Sequence, residues 1–130
     1  MATVSVIVPT FNRERCIKQC IVSILKQRKK ANEIIVVDDG STDQTWAILK
    51  QLGFSNSTNE SSVLRYIYQE NKGVSAARNT GIKSSKHDFI ALLDSDDTWL
   101  EEKLEVQVKS LIEQKDNYRI SHTEEIWFRN

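Results

Sequence analysis

The feature that most constrains this chain is a set of short apolar runs, each ending abruptly in polar or acidic residues. Val4-Ser5-Val6-Ile7-Val8 stops at Pro9-Thr10, Glu33-Ile34-Ile35-Val36-Val37 at Asp38-Asp39-Gly40, and Phe89-Ile90-Ala91-Leu92-Leu93 at Asp94-Ser95-Asp96-Asp97. Runs too apolar to alternate read as strands buried on both faces, and such strands belong to parallel sheets covered by helices. Val63 to Tyr68 is a further strand candidate. Pro9 cannot donate to a ladder and closes the first strand, while Gly40 suits a tight turn after the second.

Helical patterns separate these runs. Cys16, Ile17, Cys20, Ile21, Ile24 and Leu25 form one apolar stripe, with Asn12 as the expected cap and the basic cluster Lys26 to Lys30 at the expected end, where cations favour a helix C-terminus. Ser41 and Gln44 fit a capping box opening a helix to about Leu52, and Phe54 to Ser62 reads as a surface loop. Val74 to Ile82 is a small-residue helix whose Ala76, Ala77 and Gly81 permit close packing, and Leu100 to about Lys115 is an amphipathic helix. A short strand is expected around Glu125 to Phe128. The βαβαβαβα order predicts one α/β domain over residues 1–130, with a mostly parallel, Rossmann-like sheet flanked by helices.

Lys plus Arg and Asp plus Glu balance at 18 each, which removes any overall pull toward nucleic acid or an anionic surface. No apolar run approaches the ~20 residues needed to cross a bilayer, and the first residues carry no basic flank or cleavage pattern, so a cytoplasmic protein is expected. Cys16 and Cys20 lie four apart on one helix face, where a disulfide cannot form; buried thiols are expected.

Parallel strands place all their carboxyl ends on one sheet edge, and ligands of such sheets bind there, near a switch in strand order. Pro9-Thr10, Asp38-Asp39 and the Asp94 to Asp97 cluster therefore meet at one rim. Three carboxylates within four residues repel each other, which suggests a hard divalent cation with oxygen ligands. The alternative is a solvated turn in which Asp97 or Thr98 caps the next helix. Lys72 and Arg78, cations near the start of a helix, are placed to hold phosphates.

Four blocks carry a resemblance: Val6 to Arg13 (VIVPTFNR), Ile35 to Asp43 (IVVDDGSTD), Asn71-Lys72-Gly73 with Ala76-Ala77-Arg78-Asn79, and Leu93 to Asp97 (LDSDD). In this order they resemble the nucleotide-sugar half of family 2 glycosyltransferases of the GT-A fold, over about Val4 to Leu111. The resemblance implies metal-assisted transfer of a sugar from a nucleotide-sugar donor, typically UDP-linked, to a saccharide, lipid or protein acceptor in cell-envelope or polysaccharide synthesis. It implies that Pro9, Thr10 and Asp39 hold the nucleobase, that Asn12 belongs to the same nucleotide-binding edge, and that Asp38 supports the turn or reaches the ribose. Asp94 and Asp96 would bind ribose, metal and diphosphate, with Asp97 as an alternative metal ligand; Mn²⁺ or Mg²⁺ is implied. Lys72 and Arg78 would lie near the donor. Peripheral association with a membrane is compatible with this reading, and nucleic acid is not a partner.

The family's general base lies well beyond the DxD block, so the domain is expected to be incomplete here. Glu124 and Glu125 are the acids nearest the end of the sequence, and His122 reads as a surface or metal-neighbour residue. Without the acceptor half and its base, the chain would be a sugar-nucleotide-binding module without catalysis. A response-regulator receiver would need its acidic pair after the first strand, where this chain has Pro-Thr. A nucleotidyltransferase would need a Gly-rich basic loop there, and Phe11 to Arg15 has no glycine.

Overall fold

The computed structural model describes residues 3–56 and 63–113. The elements are β1 (Val4–Thr10), α1 (Ile17–Leu25), β2 (Glu33–Asp38), α2 (Thr45–Gln51), β3 (Leu64–Tyr68), α3 (Val74–Ser84), β4 (Phe89–Leu92) and α4 (Lys103–Glu113). All three strand pairings are parallel, in the order β3-β2-β1-β4. The order reverses between β1 and β4, so the rim between their carboxyl ends is a switch point of the kind that binds ligands in open α/β sheets.

β1 and β2 are buried along their whole length, as their continuous apolar runs require. One sheet face packs Val6, Val8, Ile34 and Val36 against Ile17, Ile21 and Ile24 of α1, Leu49 of α2, and Leu104 and Val108 of α4. The other packs Ile7, Ile35 and Val37 against Ala77 of α3. Gly81 brings α3 closer still: a Cβ at this position would fall 2.3 Å from Ile7 Cγ2.

β4 departs from the expectation of a strand buried on both faces. Among the described residues it pairs with β1 alone, which leaves it at the edge of the described sheet, and Ile90 and Leu92 are 43% and 48% exposed. Apolar character predicted burial, but among the described residues α3 packs on β1 and β2 and no element covers the same face of β4.

Neither expected helix cap forms. The α1 helix begins at Ile17 without a side-chain cap, and Asn12 sits in the left-handed region at φ 51°. Its Oδ1 accepts from the Thr42 amide at 2.8 Å, and its own amide donates to Ser41 Oγ at 2.8 Å. Ser41 therefore caps nothing: α2 starts at Thr45, whose amide and hydroxyl both donate to Asp43 Oδ1, at 3.0 and 2.6 Å. The Arg13 amide donates to Thr45 Oγ1, the Glu14 amide to Asp43 Oδ2, and the Gln44 amide to Glu14 Oε2. These bonds fasten the β1–α1 loop to the β2–α2 loop, which a local capping rule does not foresee.

The α4 helix starts at Lys103 rather than Leu100, so neither Asp97 nor Thr98 caps it. Gln27, fully buried inside the basic cluster, does that work from the loop just after α1: its Oε1 accepts from the Leu104 amide, and its Nε2 donates to the Leu100 carbonyl at 2.6 Å. Lys30 Nζ donates to the Leu25 carbonyl at the end of α1, as a cation at a helix C-terminus should. Both cysteines are free; Cys20 is buried and Cys16 only partly so.

Candidate functional site

The site is built on the rim where β1, β2 and β4 end. Asp38 closes β2 and is completely buried. Its Oδ1 accepts from the Ser41 amide, holding the turn through Gly40, and its Oδ2 accepts from Tyr66 Oη at 2.5 Å. Trp46 of α2 stacks on Tyr66 with centroids 4.0 Å apart, which fixes that phenol. Burial, then the bond to the Asp38 carboxylate, pushes the Tyr66 hydroxyl well above its ordinary range, so Tyr66 remains a donor.

Asp39 faces the next loop. Its Oδ1 accepts from Gln69 Nε2 and the Lys72 amide, both at 2.8 Å, and its Oδ2 accepts from the Gly73 amide at 2.9 Å. Burial alone would raise its pKa, but these three bonds and the Lys72 charge outweigh it and hold the carboxyl below the usual range. Its backbone amide donates to the Thr10 carbonyl, joining the ends of β1 and β2. Thr10 is 3% exposed, and its Oγ1 is a buried polar atom without a hydrogen-bond partner. An orphaned buried hydroxyl carries a desolvation penalty, which a ligand bond at this rim would relieve.

At the end of β4 the Leu93 amide still donates to the Ile7 carbonyl, and the chain then turns, with the Asp97 amide on the Asp94 carbonyl at 3.0 Å. Cys20 Sγ lies 3.7 Å from that same carbonyl, so α1 supports the turn. Asp94, Asp96 and Asp97 each offer a carboxylate oxygen, and these atoms all lie within 4.8 Å of one another. Three hard oxygen donors gathered in this way fit a divalent cation that keeps open positions for phosphate and water. The Asp94 side chain, 47% exposed, also pairs with Arg78 Nη2 at 2.8 Å.

The start of α3 connects these two groups. Lys72 and Gly73 give their amides to Asp39, and Arg78, just over one turn into the helix, reaches Asp94. Acids far apart in sequence thus share one support, which Gly73 enables by taking φ 99° at the helix cap. Pro9 lies in β1, paired with Val37, and Asn12 in the loop clamp; the Lys72 side chain is not among the bonded groups described. Glu124, Glu125 and His122 lie outside the described residues, as does the strand expected at Glu125 to Phe128. Gln69, Tyr66 and Glu14 escape sequence reasoning because their roles come from partners about thirty residues away, and Asp43 combines a local bond to Thr45 with a distant one to the Glu14 amide. A groove of about 570 Å³ along α1, lined by Lys18, Val22, Ser23, Lys26, Trp99 and Leu100, contains none of the rim acids.

A family model for glycosyl transferase family 2 matches residues 5–123. The chain belongs to glycosyltransferase family 2. Its parallel sheet with flanking helices is that of the GT-A enzymes among its structural neighbours. Among sequence relatives of this glycosyltransferase chain, the Escherichia coli UDP-Glc:α-D-GlcNAc-diphosphoundecaprenol β-1,3-glucosyltransferase WfgD is 41% identical over 109 residues, covering 84% of this chain and 41% of WfgD. The crystal structure of Staphylococcus aureus TarS 1-349 in complex with UDP-GlcNAc superposes with a TM-score of 0.74 at 27% identity, over 92% of this chain and 37% of that one. The mannosyltransferase PcManGT of Pyrobaculum calidifontis, solved with GDP-Man and Mn²⁺, gives 0.71 at 28% identity, over 83% and 32%. The chain spans less than half the length of each of these proteins. Among the described residues, no helix is long and apolar enough to cross a membrane.

Proposed function

We propose that this family 2 chain binds a nucleotide-sugar donor, UDP-linked, at the rim formed by Thr10, Asp39 and the Asp94 to Asp97 turn, and serves glycosyl transfer to a saccharide, lipid or protein hydroxyl. The observation that carries the reading is the joining of both acid groups by the start of α3, through the Lys72 and Gly73 amides on Asp39 and the Arg78 guanidinium on Asp94. Thr10 Oγ1 and the remaining acceptor capacity of Asp39 serve the base, with Pro9 and Asn12 shaping the pocket wall and Asp38 holding the turn beneath it. The UDP-GlcNAc bound to TarS and the UDP-Glc in WfgD's name support a UDP-linked donor, and the diphosphoundecaprenol in WfgD's name supports a place in cell-envelope polysaccharide synthesis.

Asp94, Asp96 and Asp97 would hold Mn²⁺ or Mg²⁺, and PcManGT with Mn²⁺ supports that choice. Such an ion, when bound, neutralises the charge that develops on a departing nucleoside diphosphate. Arg78 keeps Asp94 oriented and adds a fixed positive charge beside the diphosphate, while Lys72 lends a second at the helix start.

Calorimetric titration with UDP and then GDP, with and without Mn²⁺, tests the reading. Binding of UDP that strengthens with Mn²⁺ is expected. No binding by a folded chain, or equal affinity for all nucleoside diphosphates, contradicts it.

A further inference from the structure

The acceptor capacity of Asp39 is nearly used up inside the protein, and what remains is directional. Oδ1 takes two donors, Gln69 Nε2 and the Lys72 amide; Oδ2 takes one, the Gly73 amide. A carboxylate oxygen has about two lone-pair sites, so Oδ2 keeps one. Because an ionised carboxylate only accepts, Gln69 must turn its NH₂ toward Asp39 and its Oε1 away. That Oε1 receives the Thr80 hydroxyl at 2.7 Å. Thr80 Oγ1 also lies 3.0 Å from the Ala76 carbonyl, but its single proton serves the shorter contact. The proton order Thr80 to Gln69 to Asp39 is thereby set, from α3 through the β3–α3 loop to the end of β2.

We propose that Gln69 and Thr80 are positioning residues for base selectivity, locking Asp39 so that its last acceptor site meets a ring N–H. The inference rests on the donor-site reading above and adds the residues that enforce its choice of base. Uracil presents a ring N–H at N3, whereas cytosine presents a bare nitrogen at the same place. A locked acceptor therefore accepts UDP and repels CDP. An unlocked carboxylate can rotate, give up its bond to uracil and lose its opposition to cytosine.

The test is calorimetric titration of the full chain with UDP and with CDP, without metal, for the wild type, Thr80→Val, Thr80→Ser and Gln69→Leu. Thr80→Val removes the hydroxyl at nearly constant shape, and a weakening of UDP binding by roughly three- to tenfold is expected, the usual worth of one such bond. CDP binding should stay constant or tighten, so the UDP-to-CDP preference falls. Thr80→Ser, which keeps the hydroxyl, should restore it, and Gln69→Leu should lower it further. Circular dichroism establishes that each variant is folded. An unchanged preference in Thr80→Val and Gln69→Leu, or an equal loss for both nucleotides, would overturn the positioning role while leaving the donor site standing. Absence of UDP binding by the wild type would overturn the donor-site reading and this inference with it.

Discussion

Replacing Gly81 by alanine is the sharpest perturbation of the packing that places the site. The added methyl would lie 2.3 Å from Ile7 Cγ2, 3.3 Å from Val37 Cγ2 and 3.4 Å from Ile7 Cβ. Carbon atoms in contact settle at about 3.5–4.0 Å, so the helix must withdraw by roughly 1 Å or Ile7 must move. Ile7 is fully buried on the central strand and stiff at χ1, which leaves withdrawal as the main response. Overpacking of this kind costs about 1–3 kcal/mol. The gain in helix propensity from glycine to alanine offsets about 1 kcal/mol of that. A net loss of up to ~2 kcal/mol corresponds to a fall of roughly 4–8 °C in melting temperature. Withdrawal of α3 also pulls the Gly73 amide from Asp39 and Arg78 from Asp94, so UDP binding should weaken alongside stability. Thermal unfolding followed by UDP calorimetry reads both effects. Gly73→Ala is the contrast: a Cβ there meets nothing within 4 Å, and its cost comes from φ 99° alone, about 1–2 kcal/mol. A Gly81→Ala protein as stable as the wild type, with unchanged UDP affinity, would refute the claim that the α3–β1 approach sets the site.

Three further outcomes are expected. Asp96→Ala should abolish the strengthening of UDP binding by Mn²⁺ while leaving the metal-free component intact; a response to Mn²⁺ equal to the wild type would reject the carboxylate cluster as the ion's seat. Glu33, Asp39 and Asp43 titrate below the ordinary range, because hydrogen bonds outweigh the burial that would raise them. Folded values below the unfolded ones mean stability that is present above about pH 4 and lost as the pH falls through the depressed values. Melting temperature should therefore drop most steeply below pH 4. Glu33→Gln, which breaks the partly buried pair with Arg65 at 3.0 Å, should melt lower at pH 7 yet fall less on acidification; a slope equal to the wild type's would contradict this. Asn12→Ala, losing the Thr42 bond in a left-handed conformation, should destabilise the chain by roughly 1–2 kcal/mol in urea unfolding, whereas Asn12→Gly should cost less.

The parallel sheet was legible in the sequence because Ile34 to Val37 and Val6 to Val8 do not alternate, and only burial on both faces accounts for such runs. The same logic failed for Ile90 and Leu92, since apolar character does not say whether a neighbouring element covers a strand. The rim acids were legible because topology alone brings strand ends together. The bonds that tune them were not: Asp39 is set by Gln69, Lys72 and Gly73, and Asp38 by Tyr66, all through contacts between residues about thirty apart. Asn12 and Ser41 looked like helix caps because the same polar side chains satisfy either a helix end or a facing loop, and here they satisfy each other's loops. Gln27 was hidden inside a basic cluster whose charge drew the attention, although its amide serves the 100–104 segment.

The central claim, that one rim holds both the base and the metal-bound diphosphate, is tested most directly by ¹H–¹⁵N NMR spectra of the chain during addition of UDP and then Mn²⁺. UDP is expected to shift the amide signals of Thr10, Asp39, Lys72 and Gly73, and paramagnetic Mn²⁺ then to broaden those of Ser95, Asp96 and Asp97 first. Shifts and broadening confined to another part of the surface, such as the α1 groove at Lys18 and Trp99, would contradict it.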